Sequence, residues 1–393
     1  MTYTPPVVCY ATTFDGIYQE LDGVQSVSIT RGKSRFQDSI SASQCVIELI
    51  PQTTFPANMT LGQFIDIRDD NTSTSSAYFV GRITDIQRDY SIPYDSLTGF
   101  APDDRVTITV TGGTGALASG YGAVAPGTVQ DAAYVIVVGS MAVANVYSIT
   151  PQNLSWIPTY PANPIGIDVL TPADVEPWLD TINKVLNTIQ YSIDDSDLGR
   201  SPKTYFIPNV YSATYSYPTG QTGVNINFVD DGTTGATKFK YSQIEFLSSV
   251  QSSFSQVIIQ SSFDDEQIVT GSRPYVGFSY PTAIATTAQA TPLGDYILTV
   301  NSSDELVPFS ISTNSAIQAS AADLGHLADC PIGTAITLTF RGNTYNATVS
   351  AISATYTPEI ANIRLTLTPS LGTPFTLDST AFGVLDTNRL GFP

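Results

Sequence analysis

Charge, histidine and cysteine are all scarce in this sequence, and each scarcity closes off a class of chemistry. Only 13% of the 393 residues are Asp, Glu, Lys or Arg, about half the usual share of a soluble domain. The one histidine, His326, lies in ASAADLGHLADC. A Ser-His-Asp relay or a histidine-ligated metal needs further partners, and neither Asp323 nor Asp329 completes a motif. Helix-end placement is the expectation for His326. The three cysteines, Cys9, Cys45 and Cys330, are odd in number, far apart and without a C-x-x-C pair. They predict free thiols made in a reducing cell rather than a disulfide framework or a zinc site.

Basic residues are few as well. Against 16 Lys and Arg stand 35 Asp and Glu, for a net charge of -19. That balance argues against holding nucleic acid by neutralising phosphates, and no basic patch with interleaved aromatics appears. A negative wall does suit a channel through which DNA passes without sticking, and net charge also serves solubility. The longest apolar run, Ala132 to Val146, is broken by Gly139 and Asn145 and is too short to span a bilayer. The opening MTYTPPVVCY has no positive n-region, which predicts no secretory leader. The Asn-x-Ser/Thr triplets at Asn58, Asn71, Asn153, Asn301 and Asn346 are then chance matches in a Ser- and Thr-rich chain.

What fills the chain instead is β-branched and aromatic residues with Ser, Thr, Gly and Pro, a composition that suits pleated, half-buried surfaces. At 42% hydrophobic it is too apolar to stay disordered. The length allows two to four domains.

The stretch Leu61 to Tyr90 organises the rest. Ile65 and Ile67 alternate with Asp66 and Arg68, a period of two that gathers apolar groups on one face. A polar loop from Asp69 to Ser76 follows. Phe79, Gly81, Ile83 and Ile86 then form a second strand, with Gly81 marking a bulge or close backbone approach. The pattern returns near the C-terminus. Ile332-Gly333 matches Leu61-Gly62, Ile336 and Leu338 match Ile65 and Ile67, and Tyr345, Ala347, Val349 and Ile352 match the second strand at identical spacing. Tyr356 matches Tyr90, and Ile363, Leu365 and Leu367 match Val106, Ile108 and Val110. Equal spacing over three strands predicts a duplicated unit.

Further strands are predicted at Val24 to Thr30, Gln44 to Ile50, Val224 to Val229, Phe239 to Phe246, Val257 to Gln260 and Tyr296 to Val300, with a turn at Arg31-Gly32-Lys33. The Gly- and Ala-rich segment 112–127 reads as a linker; it lacks the spacing and the lysine of a phosphate loop. A helix is predicted over Val129 to Ala142. A second is capped by Asp174, with Pro177 in its first turn and an apolar stripe of Trp178, Leu179, Ile182, Val185, Leu186 and Ile189. Tyr191 to Ile193 and Tyr205 to Ile207 read as a hairpin.

Acidic pairs at Asp69-Asp70, Asp103-Asp104, Asp230-Asp231 and Asp264-Asp265-Glu266 lie in turn-like stretches where Asp is favoured for local hydrogen bonds. The run Asp194 to Gly199 has calcium-loop character, but twelve positions from Asp195 stands Phe206, where an EF-hand needs a bidentate Glu. An incidental calcium site stays open there. No catalytic, cofactor-binding or metal-ligating residue is assigned, and no cofactor is expected.

Three stretches together resemble the tail-hub and minor tail proteins of long-tailed bacteriophages. VQSVSITRGKSRF, QCVIELIP, LGQFIDIRDD and YFVGRITDIQRDY are similar to the opening barrel of that family, through Arg31, Gly32, Leu61, Gly62, Gly81, Arg82, Ile83 and Ile86. VEPWLDTINKVLNTIQYSIDDSDLGR is similar to the inserted domain of the hub. IGTAITLTF through ANIRLTLTPS, with the ending FGVLDTNRLGFP, is similar to the C-terminal end. About half the chain is covered; residues 203–300 and 143–170 are not.

The resemblance implies a mainly β fold with a small α content: two tail-tube-like β-barrels plus an inserted α+β domain. The expected division is an N-terminal arm at 1–20, a first barrel at 21–112, a helix-containing insert at 113–205, a β-rich middle domain at 206–300, a second barrel at 301–370 and a docking tail at 371–393. Part of the middle domain is expected to complete a barrel. It further implies a non-enzymatic structural protein of the virion tail tip, made in the host cytoplasm. A homotrimer would set six barrels in a ring, joining a sixfold tail tube to a threefold tip and lining the DNA channel. Partners would be distal tail and tail-tube proteins above and spike or fibre proteins below. Two alternatives stay open. A receptor- or carbohydrate-binding tail module is motivated by the 21 tyrosines and by Trp156 and Tyr160. A β-rich cell-wall hydrolase would need a carboxylate pair or a metal site, which the sequence does not show; loss of lytic activity on mutating Asp264 or Asp265 would revive that reading.

Overall fold

The computed structural model describes residues 3–11, 18–34, 38–50, 56, 58–68, 77–89, 104–119, 121–122, 150–151, 203–208, 226–232, 238–247, 256–260, 267–270, 277–282, 307–318 and 332–369, together with parts of 176–194 and 290–298 and residues 327 and 330. Strands dominate them, as the composition predicts.

The first unit is built from β1 (Val7–Ala11), β2 (Tyr18–Glu20), β3 (Val24–Gly32), β4 (Gln44–Leu49), β5 (Phe64–Arg68), β6 (Ala77–Asp89) and β7 (Arg105–Thr111). Alternation sets which face is covered: in β7, Val106, Ile108 and Val110 are buried while Thr107 and Thr109 are half-buried. Cys45, Ile47 and Leu49 do the same from β4. Each such aliphatic side chain taken fully out of water contributes roughly 1.5–3 kcal/mol. Strand order is β3-β4-β7-β6-β5-β1-β2. Arg31 and Gly32 are the end of β3 rather than the predicted turn.

After β7 comes α1 (Gly113–Ser119), where a linker was expected from the glycines. Thr114 anchors its start: its hydroxyl oxygen accepts from the Ser43 backbone N–H at 2.8 Å, tying the helix to the β4 entry. Then follow β8 (Tyr121–Gly122), β9 (Thr150–Pro151), β10 (Glu176–Pro177), β11 (Tyr191–Asp194) and β12 (Lys203–Pro208). β11 and β12 form the predicted hairpin, with Ser192 opposite Ile207. Glu176-Pro177 pairs with β8, so the helix capped in the sequence reading by Asp174 begins later. Leu179, Asp180, Asn183, Lys184 and Asn187 are helical. Its buried stripe includes two asparagines besides Leu179. The Asn183 side chain bonds both the N–H and the C=O of Ile40, each at 3.2 Å. Asn187 donates to the Pro281 carbonyl at 3.0 Å. The predicted helix at Val129 to Ala142 lies outside the described residues.

The remainder contains β13 (Ile226–Phe228), β14 (Lys238–Phe239), β15 (Gln243–Leu247), β16 (Gln256–Gln260), β17 (Gln267–Thr270), β18 (Gly277–Pro281), β19 (Val307–Asn314), β20 (Ala335–Phe340), β21 (Asn343–Tyr356) and β22 (Ala361–Pro369). β17, β16 and β18 form a separate three-stranded sheet. The expected strand at Tyr296 to Val300 is replaced by helix at Ile297 and Leu298. Ala290, Leu293 and Ile297 are all fully buried, at the spacing of one helical face.

The repeat read from the sequence is present in the pairing. β15-β19-β22-β21-β20 reproduces the order β3-β4-β7-β6-β5, and in the same chain order. Gly62 (φ 84) and Gly333 (φ 90) hold the left-handed conformation. Gly62 N donates to Ile83 O at 2.8 Å and Gly333 N to Val349 O at 2.7 Å; Ile83 N and Val349 N each donate back at 2.9 Å, to Gln63 and Thr334. Ile65 faces Gly81 as Ile336 faces Ala347. Each long strand then slips register at one hydroxyl residue, between Ile83 and Asp85 and between Val349 and Ala351. The hydroxyls of Thr84 and Ser350 donate to the equivalent carbonyls of Thr109 and Thr366, both at 3.2 Å. β15 thus stands in the second unit where β3 stands in the first, with β16, β17 and β18 inserted before β19. The outer flanks differ: β1 runs antiparallel to β5, whereas β13 runs parallel to β20.

Candidate functional site

The two units join along one strand pair. Residues 351–356 of β21 pair antiparallel with residues 27–32 of β3, from Ala351 opposite Gly32 to Tyr356 opposite Val27. The far half of β21 is therefore paired on both edges, by β22 and by β3. Gly32 is held at φ 85, and a β-carbon there would run into the Ser350 carbonyl oxygen and stand 2.9 Å from Ala351 Cα. Glycine is required on both counts. The ladder continues one step past β3, where Lys33 N donates to Ser350 O at 2.9 Å. Ser28 and Thr355 bring their hydroxyls to 3.5 Å.

Charge is buried at this junction. Arg31 is enclosed and donates through Nη2 to the Cys330 carbonyl at 3.3 Å. Lys33 is enclosed beside it, and burial lowers its ammonium to about 8, opposed by the Asp38 carboxylate. Tyr78 of β6 stacks on Tyr356 of β21, centroids 5.6 Å apart and planes 4° from parallel, so the units also meet by ring packing.

A second buried ionic feature lies in β5. Alternation places Asp66 and Arg68 opposite the apolar face, as a solvent-facing pair would be, yet both are fully buried. Arg68 Nε donates to Asp66 Oδ2 at 2.8 Å. Opposite charges two positions apart on one strand face are the only sequence signal for this. Arg82, of the G-R-I motif, donates to Gly62 O at 3.0 Å and covers the Phe64 ring at 4.2 Å. It thereby braces the glycine turn. Leu61 is exposed and Ile86 half-buried.

Of the acidic pairs, Asp104, Asp230 and Asp231 are among the described residues. Asp230 accepts from Arg341 N at 2.6 Å, bracing the tight Arg341-Gly342 turn between β20 and β21, where both residues have positive φ. Asp104 is buried, and its carbonyl accepts from Arg105 Nη1 at 3.0 Å. Asp194 lies in β11. His326, Asp69, Asp70, Asp103, Asp264, Asp265, Glu266, Trp156 and Tyr160 lie outside the described residues. Among the described residues, no group of three or more His, Cys, Asp or Glu is placed to hold a metal ion. Cys9, Cys45 and Cys330 are buried free thiols, and burial pushes the Cys45 thiol up.

In sequence, no family model and no curated protein match the chain. In structure, it is similar over 94% of its length to 99% of a 43 kDa tail protein of prophage MuSo2 from Shewanella oneidensis, with a TM-score of 0.55 at 12% identity. It is likewise similar over 93% of its length to 97% of a tail protein from Neisseria meningitidis, with a TM-score of 0.52 at 10% identity. The chain has the fold of these tail proteins. The resemblance read from the sequence and the mainly β class agree with that tail-protein fold.

Proposed function

We propose that this chain is a structural hub of a phage tail tip. Three copies form a ring of six repeated units, joining a sixfold tail tube above to a threefold tip below and lining a channel for DNA. The observation that carries the reading is the duplication: two five-stranded units with the same strand order, glycine turn and bulge within one chain. A chain of two such units matches a sixfold partner with three copies. The likeness to prophage tail proteins supports a tail role, and the division into two tube-like barrels with inserted domains belongs to the same reading. The net charge of -19 suits a lumen that DNA traverses without adhering. The role is mechanical, held by strand and side-chain packing rather than by catalysis. Its place is the virion, with tail-tube and distal tail proteins on one side and spike or fibre proteins on the other.

Native mass and class-averaged electron microscopy of the purified protein test it. A three-copy ring with six similar lobes is expected. A persistent monomer that binds glycans would replace the hub reading by that of a receptor-binding tail module.

A further inference from the structure

The two units differ at the end where their last strands, β7 and β22, run out. Ile311 faces Leu365 as Ile47 faces Ile108, so Gly112 and Pro369 are counterparts, as are Ser43 and Val307. In the first unit the chain turns back at this point over the start of β4. Gly112 N donates to Ser43 O at 3.0 Å, the Thr114 hydroxyl oxygen accepts from Ser43 N at 2.8 Å, and Gly112 and Thr114 are both buried. α1 thereby caps that end of the unit.

The same end of the second unit carries three aromatic rings. Phe246 of β15 lies 5.2 Å from Phe340 of β20 and 5.3 Å from Tyr345 of β21, centroid to centroid. A period of two puts Phe340 on the face of Ile336 and Leu338, and Tyr345 packs against the core. The exposed Arg341 lies over the Phe340 ring at 4.9 Å and gives the cluster a charged border. All three rings are only half-buried, whereas Phe79, the counterpart of Tyr345, is buried.

We infer that residues 370–377, SLGTPFTL, cap the second unit and seat Leu371 and Phe375 on the Phe246, Phe340 and Tyr345 rings. Connection along the chain brings them there. Pro369 pairs with Ala347, two residues from Tyr345. Continuing that register puts Leu371 opposite Tyr345, on the face that Ile363, Leu365 and Leu367 share. The eight residues carry no charge and three large apolar side chains, Leu371, Phe375 and Leu377. Taking these out of water against half-covered rings is favourable in proportion to the apolar area removed. Pro374 stands where α1 has Leu117, in the interior of that helix, and bars a copy of it; the residue before a proline favours extended backbone. The second cap is therefore extended where the first is helical. The contact lies within one chain and is independent of the ring proposed above. It divides the expected docking tail: residues 370–377 belong to the fold, and residues 378–393 are left to reach a neighbouring protein.

Hydrogen exchange of the full chain, read by mass spectrometry on peptides covering 370–377, tests this. Slow exchange is expected there in the wild type. Leu371→Ser with Phe375→Ser is expected to speed it about tenfold while the core strands stay protected. Phe246→Ser is expected to free the same amides from the other side of the contact. The double variant alters no residue of any strand, so it decides the matter even where Phe246→Ser fails to fold. Wild-type exchange at the rate of a free peptide overturns the cap and leaves the rings to another protein of the assembly. Protection that survives the double variant puts the segment elsewhere and overturns the seat. Protection that fades on dilution gives the rings to the tail of a second copy and overturns the contact within one chain.

Discussion

Gly32 faces the Ser350 carbonyl so closely that no β-carbon fits between them. The junction of the two units is therefore a backbone contact, set by one residue whose left-handed φ of 85° already favours glycine. Gly32→Ala adds left-handed strain to a collision with main chain, and the two together are expected to cost about 2–4 kcal/mol. Urea unfolding followed by intrinsic fluorescence measures it. A loss under about 1 kcal/mol would mean that the strands separate easily and that the junction is not a fixed hinge of the fold.

The repeat was legible in the sequence because its markers are local: an apolar residue followed by glycine at the strand entry, a period of two, and equal spacing along the second and third strands. The partner strand β15 was not read as part of it. Its residues Ile244 to Leu247 are all half-buried without alternation, its register shifts after Glu245, and the inserted β16–β18 sheet separates it from β19. The Tyr296 region misled for another reason. YILTV carries high β propensity, but Ala290, Leu293 and Ile297 share a helical face that tertiary burial rewards. Likewise Asn183 and Asn187 look solvent-facing in sequence, and only the neighbouring backbone at Ile40 and Pro281 explains their burial.

The enclosed Asp66–Arg68 pair predicts an asymmetry between single and double substitution. Arg68→Met takes the guanidinium away from a fully buried carboxylate and is expected to cost about 3–5 kcal/mol. Adding Asp66→Leu removes that charge as well and recovers most of the loss, since apolar side chains of similar volume often replace buried pairs without penalty. Denaturant midpoints of the single and double variants decide it. Equal loss in both would mean that packing of the arginine stem, not charge, holds the site.

Lys33 gives the fold a pH signature. Burial lowers its folded value to about 8 from 10.5, so between those values the unfolded chain binds the proton and the folded chain does not. Stability then rises with pH across that window, because proton uptake favours unfolding below it. Groups with raised folded values act oppositely at higher pH: Cys45 above its ordinary thiol range, and Tyr3, pushed up to about 12 by burial. Between pH 8 and 9 the unfolded Cys45 thiol begins to titrate as well, so Lys33 is read by difference: over that interval the wild type is expected to gain about 1 kcal/mol relative to Lys33→Met. Parallel wild-type and variant curves would show that Lys33 remains hydrated in the folded chain.

Where the units diverge, the same position carries opposite demands. Gly81 and Ala347 are counterparts, facing Ile65 and Ile336. A β-carbon on Gly81 would stand 2.5 Å from Thr111 O and 2.8 Å from its carbonyl carbon, whereas the Ala347 methyl is fully buried without such a conflict. Gly81→Ala is therefore expected to destabilise by about 1–3 kcal/mol through overpacking against backbone. Ala347→Gly is expected to cost about 1–2 kcal/mol through lost burial and a freer unfolded chain. Lying in separate units, the two changes should add rather than compensate. Thermal unfolding of both single variants and the double variant reads this directly. A stabilising Gly81→Ala, as glycine replacement gives where space and φ permit, would mean that β6 does not approach Thr111 so closely, and that the first unit is as open at this position as the second.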